Sequence, residues 1–238
     1  AWGWRVPFVL SLLLLAISLW MRLKLSESPV FQAMKAEGEL ALNPLKESFT
    51  YPGNPRRIFI ALFGIAAGLT VIWYTAMFSG LQFLTGPMRV EETHAQIIVG
   101  ASALVGMGFF IYFGSLSDRI GRKPPIVWGY AATLLLLFPC FWVMGWALEP
   151  SLAVTAAGDK IIPDAGQIAM IAGALLLLSV LSGATYGSVA ALLAEMFPPH
   201  VRYSSMSIPY HFGTGYFGGF LPLIASFIVA KTGNAYAG

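Results

Sequence analysis

Four groups of residues in this 238-residue chain have types and spacings that could do chemistry. Ser207, Tyr210, His211 and Thr214 fall at i, i+3, i+4 and i+7, which is one face of a helix. Such a face could hydrogen-bond a polar solute, and His211 could take up and release a proton. Thr70, Tyr74, Phe78 and Gln82 form a similar row with Trp73 beside it, and Ser182, Thr185, Tyr186 and Ser188 cluster around two glycines. Each row also has a plainer reading, as hydrogen bonds or aromatic packing that only hold helices together. The fourth group is charged: Gly114-Ser-Leu-Ser-Asp118-Arg119-Ile-Gly121-Arg122-Lys123, an acid among three bases at a glycine turn. Its chemistry is the making and breaking of ion pairs, or simply a solvated face.

Other chemistries lack their residues. The chain holds no HExxH, no CxxC, no glycine-rich phosphate loop and no Ser-His-Asp grouping. Cys140 is the lone cysteine, which excludes a disulfide framework or a cysteine metal site. No Asp or Glu falls mid-span, and His94 and His200 lie near span ends, leaving His211 as the ionisable group deep in an apolar run. An enzyme is not expected, nor is a cofactor or a metal.

The elements that must position these residues follow from composition. The chain is 57% hydrophobic and 11% charged, with a mean hydropathy of +0.73, against about a quarter charged in a soluble domain. A bilayer span needs about 20 mostly apolar residues. Six runs qualify or nearly do: Val6–Met21, Ile58–Met88, Ala95–Ser117, Pro124–Leu148, Gln167–Ala194 and Ser204–Ala230. The expected fold is therefore an all-α membrane protein of six spans embedded in lipid. Arg22 and Lys24 after the first run, with no small-residue cleavage site, mark it as a span and not a signal peptide.

Lysine and arginine placement orients the spans. With the first running outside to inside, Arg22, Lys24, Lys35, Lys46, Arg56, Arg57, Arg119, Arg122, Lys123 and Arg202 lie inside, against Arg5, Arg89, Lys160 and Lys231 outside. Ten against four is a positive-inside bias that puts both chain ends outside. The net charge of +3 then reflects topology, and no nucleic-acid partner is expected.

The polar stretch Arg22–Arg57 reads as a linker, with a short amphipathic helix near Pro29–Glu39. Glu149–Gly166 reads as a surface excursion. Glycines four apart at 64/68, 183/187 and 215/219 predict close helix packing, and Pro139 and Pro209 predict kinks. Charged clusters recur after the first, third and fifth spans: Glu27-Ser28-Pro29, Asp118 to Lys123, and Glu195 to Arg202. Opposite charges there could pair across helix ends and close the inner side. The chain starts without Met and stops soon after its sixth span, so it is expected to be a piece of a longer protein.

These residues resemble the major facilitator superfamily. The turn at Gly114–Lys123 matches its G-x-x-x-D-R-x-G-R-[RK] signature, which recurs after the second and eighth helices. Further stretches resemble the metabolite:proton symporter branch: Gly3-Trp4-Arg5-Val6-Pro7-Phe8, Glu27-Ser28-Pro29-Val30-Phe31, Ala194-Glu195-Met196-Phe197-Pro198, Val201-Arg202-Tyr203-Ser204, and the glycine run Gly215–Pro222. The resemblance implies that the six spans are helices six to eleven of twelve. Residues 1–23 would be the last helix of the N-terminal half, 24–57 the central cytoplasmic loop, and 58–238 a C-terminal bundle lacking its final helix.

It further implies a secondary active transporter of the bacterial inner membrane, moving a small polar metabolite with a proton by alternating access. The metabolite would be an organic acid or zwitterionic osmolyte. Asp118, Arg119, Gly121, Arg122, Glu195 and Arg202 would form the inner gate, and Tyr74, Gln82, Tyr186, Tyr210, His211 and Thr214 the substrate path. Proton coupling in such carriers depends on membrane carboxylates, which this chain lacks. They would sit in the absent N-terminal half, with His211 as the alternative. A passive facilitator and a non-transporting sensor on the same fold are the competing functions.

Overall fold

A computed structural model describes residues 2–39, 41–156 and 158–238. Among them, six helices are long and apolar enough to cross a membrane: α1 (Gly3–Lys24), α4 (Asn54–Thr85), α5 (Glu92–Ile120), α6 (Lys123–Val154), α7 (Ala165–Met196) and α8 (Arg202–Thr232). Two short helices, α2 (Pro29–Ala36) and α3 (Pro44–Thr50), lie between α1 and α4. The chain divides into two compact units, Ala1–Leu42 and Asn43–Gly238.

The first unit holds α1 and α2. Arg5 lies over the Trp2 and Trp4 rings at 4.6 and 4.4 Å, and Lys24 over Trp20 at 4.9 Å. These aromatic-backed cations at the two ends of an apolar helix suit its two water interfaces. The Glu27-Ser28-Pro29 stretch starts α2 for local reasons. The Ser28 hydroxyl accepts from Phe31 N at 3.3 Å, and Pro29 occupies a first-turn position that needs no donor.

The second unit is a helix bundle built around α7. In its most apolar stretch 56% of residues are buried, against 17% in α5 and α8. Small residues let α5 approach it. A Cβ on Gly106 would stand 2.6 Å from Ser179 Cβ, one on Gly183 3.1 Å from the Phe110 nitrogen, and one on Gly187 2.8 Å from the Gly114 nitrogen. Gly183 and Gly187 thus pack as their spacing predicts. Gly68 meets the Tyr130 ring of α6, whereas Gly64 touches only its own helix.

The pair Gly215/Gly219 does not make the expected contact. A Cβ on Gly215 would meet open space, and the close approaches of α8 are at Gly213, against Ala66, and Gly218, against Thr70 and Tyr74. The reason is a π-helical stretch at Gly213–Gly218, which widens the turn so that residues five apart share a face. Span α4 carries two such stretches, Ile60–Ala66 and Thr75–Ser79. The Tyr130 hydroxyl donates to the Ile65 carbonyl at 2.6 Å, supplying a partner where the regular ladder is disturbed.

Two further differences are local. Helix α6 runs through Pro139 and Pro150 to Val154, so residues 149–154 are helical and the excursion begins later. It then bridges Val90 through Ile161, with Glu91 N to Ile161 O at 2.9 Å and Ile161 N to Arg89 O at 2.8 Å. Ala157, within that excursion, lies outside the described residues. In addition, α3 and the turn into α4 pack on the bundle, with Ser48 and Asn54 fully buried.

Candidate functional site

The charged turn sits where the α5 backbone meets α7. Helix α5 ends at Ile120, and Gly121 follows with φ +94, a conformation open to glycine and strained for other residues. The chain reverses there and Arg122 is left facing three acceptors. Its Nη1 donates to Asp118 Oδ1 one helical turn back and to Ser117 Oγ at 3.0 Å, and its Nε donates to Glu195 Oε1 of α7 at 3.0 Å. The Arg122 carbonyl accepts from Ser188 Oγ at 3.3 Å. Hydrogen bonds donated to Asp118 first and Glu195 second raise the guanidinium pKa further above its ordinary value.

Of the charged residues picked out by sequence, Asp118, Arg122 and Glu195 come together. Arg119 makes no hydrogen bond or ion pair among the described residues, and Arg202 donates its Nε to the Phe197 carbonyl at 3.2 Å. Nothing in the sequence marks Ser117, which is fully buried, and Ser188 stands there only as a member of a polar row. Both are ordinary serines until the α5–α7 packing aims them at Arg122.

The polar rows divide. Tyr186 and Tyr210 pack on one apolar cluster with Ile65, Leu69 and Leu193. Tyr74 is set against Gly218 and stacks on Phe78, with ring centroids 5.1 Å apart. Thr214 Oγ1 donates to the Tyr210 carbonyl at 2.8 Å, so its hydroxyl serves the helix. His211 is exposed, in a shallow recess of about 390 Å³ beside Phe212, Tyr216 and Phe220. Gln82 stands apart from all of these, at the opposite end of α4. Its Oε1 accepts from Ser226 Oγ at 2.8 Å in a cavity of about 830 Å³ lined also by Thr75, Phe138, Ala225 and Tyr236. No group of three or more His, Cys, Asp or Glu side chains that could hold a metal occurs among the described residues.

An all-helical fold with six bilayer-length helices, and an arginine joining a glycine turn to a neighbouring helix end, define a multi-pass membrane protein. The sequence model described as Major Facilitator Superfamily matches residues 1–221, and the chain belongs to that family. Its six spans match about half of a twelve-helix transporter of the family.

It is 28% identical over 243 residues to the glycine betaine/proline/ectoine/pipecolic acid transporter OusA of Dickeya dadantii, with 99% of this chain and 44% of that protein covered. It is 28% identical over 240 residues to the proline/betaine transporter of Escherichia coli K12, covering 98% of this chain and 44% of that protein. The inner membrane metabolite transport protein YhjE of the same strain is 29% identical over 242 residues, with 100% of this chain and 50% of that protein covered. The chain thus spans about half the length of the curated relatives it matches. No solved structure matches it significantly.

Proposed function

We propose that this chain is the C-terminal part of a secondary active transporter that moves a small polar metabolite with a proton by alternating access. The observation that carries the reading is Arg122, which ties the α5–α6 turn to the end of α7 through Asp118 and Glu195. The two carboxylates are 63% and 57% exposed, so water can replace each partner as the contact opens. Such a contact closes one side of a carrier and yields when the bundle tilts. In this reading it lies on the cytoplasmic side, as the ten-to-four cation count orients the spans, and both chain ends lie outside. Asp118, Arg122 and Glu195 are the gate, Gly121 shapes it, and Arg119 and Arg202 join it in another state of the cycle.

Helix α1 is then the last helix of the N-terminal half, residues 24–57 the central loop, and 58–238 a bundle awaiting its final helix. Tyr74, Tyr186, Tyr210, His211 and Thr214 line the solute path from one side, and Gln82 serves its outer end. The relatives' names favour a zwitterionic osmolyte such as proline or betaine over an organic acid, and no cationic residue mid-span stands ready for a bare anion. Coupling carboxylates belong to the preceding half, with His211 as the second candidate. A bacterial inner membrane is the expected location.

The test is counterflow of labelled proline and glycine betaine in vesicles carrying the full-length protein. Uptake above empty vesicles that collapses with the pH gradient is expected. Counterflow with accumulation indifferent to that gradient would mean a passive facilitator. Absence of counterflow by folded protein for these solutes and for organic acids would leave a sensor. Asp118→Asn should cut exchange at least ten-fold while solute affinity survives, and wild-type exchange by that variant would remove the gate role.

A further inference from the structure

A second polar contact closes the same end of the bundle, and none of its residues belongs to the charged motif. Helix α3 is a self-capped rod: Asn43 Oδ1 accepts from Lys46 N at 3.0 Å, and Glu47 Oε1 accepts from Asn43 N at 3.0 Å. A turn at Gly53, with φ +77, leads from it into α4. Between α3 and the start of α8 lie Ser48, Asn54 and Ser205, all 0% exposed. Asn54 Nδ2 donates to Ser205 Oγ and to the Ser48 carbonyl, each at 2.8 Å. Ser205 Oγ donates to Ser48 Oγ at 2.9 Å, and Ser48 Oγ to the Pro44 carbonyl at 2.7 Å. The donors all run one way, from amide to hydroxyl to hydroxyl to carbonyl, so the contact is made as a unit.

Two features suggest that this unit can also let go. Asn54 Oδ1 is buried without a partner, so the closed arrangement leaves one acceptor unsatisfied that water would serve on opening. The side of α3 away from Ser48 is open to solvent, with Lys46 and Thr50 exposed, Leu45 and Phe49 beside it are exposed too, and Tyr51 touches the His200 ring edge-on at 5.0 Å. The position matters as well. Ser205 lies three residues beyond Arg202, at the start of the helix that follows Glu195, so this contact braces from α8 the turn that Arg122 braces from α6.

We propose that residues 43–54 form a strap that closes over the start of α8 and lifts when this end of the bundle opens. The proposal rests on the alternating-access reading for its purpose, though the lifting itself is measurable without a solute.

The first experiment uses the full-length carrier with Cys140→Ser and Ser205→Cys. The new thiol should react with a water-soluble maleimide at least ten-fold slower than one at Tyr203→Cys, which is 81% exposed, yet react completely in folded protein. Labelling no faster than global unfolding overturns the strap. In the second, Ser48→Cys with Ser205→Cys places two sulfurs where hydroxyls lie 2.9 Å apart, within disulfide reach. The oxidised protein should lose labelled-proline counterflow at least ten-fold and regain it on reduction. Unaltered counterflow in the cross-linked protein overturns the proposal. If the reduced protein moves no proline while Ser205→Cys still labels, the solute reading fails and the strap stands. Should the variants not fold, hydrogen exchange on the wild type decides. The amides of residues 48–54 should exchange at least ten-fold faster than those of Leu175–Ser179 in α7, and equal protection overturns the strap.

Discussion

The two polar knots at the charged end of the bundle are made of opposite materials. Arg122, Asp118 and Glu195 carry full charges and stand 22%, 63% and 57% exposed. Ser48, Asn54 and Ser205 are neutral and wholly buried. An exposed ion pair shares its partners with water and salt, so each contact is cheap to break and the geometry can be remade. A dry neutral network has no such substitute, and removing one donor strands its acceptors. The first knot can loosen one bond at a time; the second moves as a unit or not at all. Charge therefore marks contacts that exchange one at a time, and the buried amide and hydroxyl groups mark a contact that is made and broken as one.

The largest effect is expected at the dry knot. Asn54→Leu fills the same space but strands the Ser48 carbonyl and the Ser205 hydroxyl, and should destabilise the protein by about 2 kcal/mol. Thermal unfolding in detergent at low and high salt measures this, and the loss should not depend on salt. A loss that salt abolishes would break the contrast between the knots. Next comes Gly187→Ala, which attacks the charged knot through its backbone. The new methyl would meet the Phe110 carbonyl oxygen at 2.6 Å and push α7 from α5, costing about 1–2 kcal/mol by the same measurement.

Arg122→Lys should leave the melting temperature almost unchanged, yet slow exchange several-fold, because an ammonium cannot serve Ser117, Asp118 and Glu195 in one fork. Counterflow measured beside melting separates the two. A lysine variant as fast as wild type would mean that charge alone suffices.

The smallest effect belongs to a hydrogen-bonded pair at the opposite end of the bundle, Glu91 with His94. Hydrogen bonds from the His94 backbone N–H and then its ring hold the Glu91 carboxyl at about 2, against an ordinary 4.5. A depressed carboxyl pKa stabilises the fold above about 4.5, and that contribution fades as pH falls toward 2. Glu91→Gln should flatten the melting-temperature profile across that acid window and leave its shape above it unchanged.

Much of this was legible in the residues. Apolar run length is a local property, so the six spans could be read directly and only their ends shifted, as when α4 started at Asn54 and α6 ran on to Val154. The charged turn was legible as an acid among three bases at a glycine; that Gly121 takes positive φ and that Asp118 and Arg122 pair one helical turn apart came from the structure. Arg119 and Arg202 look equivalent to Arg122 in sequence, yet only Arg122 points at both carboxylates. The substrate-path residues were chosen by periodicity, which assumes a regular helix. The π-helical stretch at Gly213–Gly218 breaks that assumption and exchanges the expected glycine pair for Gly213 and Gly218.

By itself, then, the sequence determined an all-helical membrane chain, its family and the place of its charged turn, because burial in lipid and helical spacing act over neighbouring residues. Only the tertiary structure decided which side chains meet. Asn54 finds Ser205 across 151 residues, Arg122 finds Glu195 across 73, and Gln82 pairs with Ser226 instead of joining the tyrosines. Those partnerships depend on which helices the glycine pairs bring together and where π turns shift their register; the glycine spacing signals close packing but names no partner.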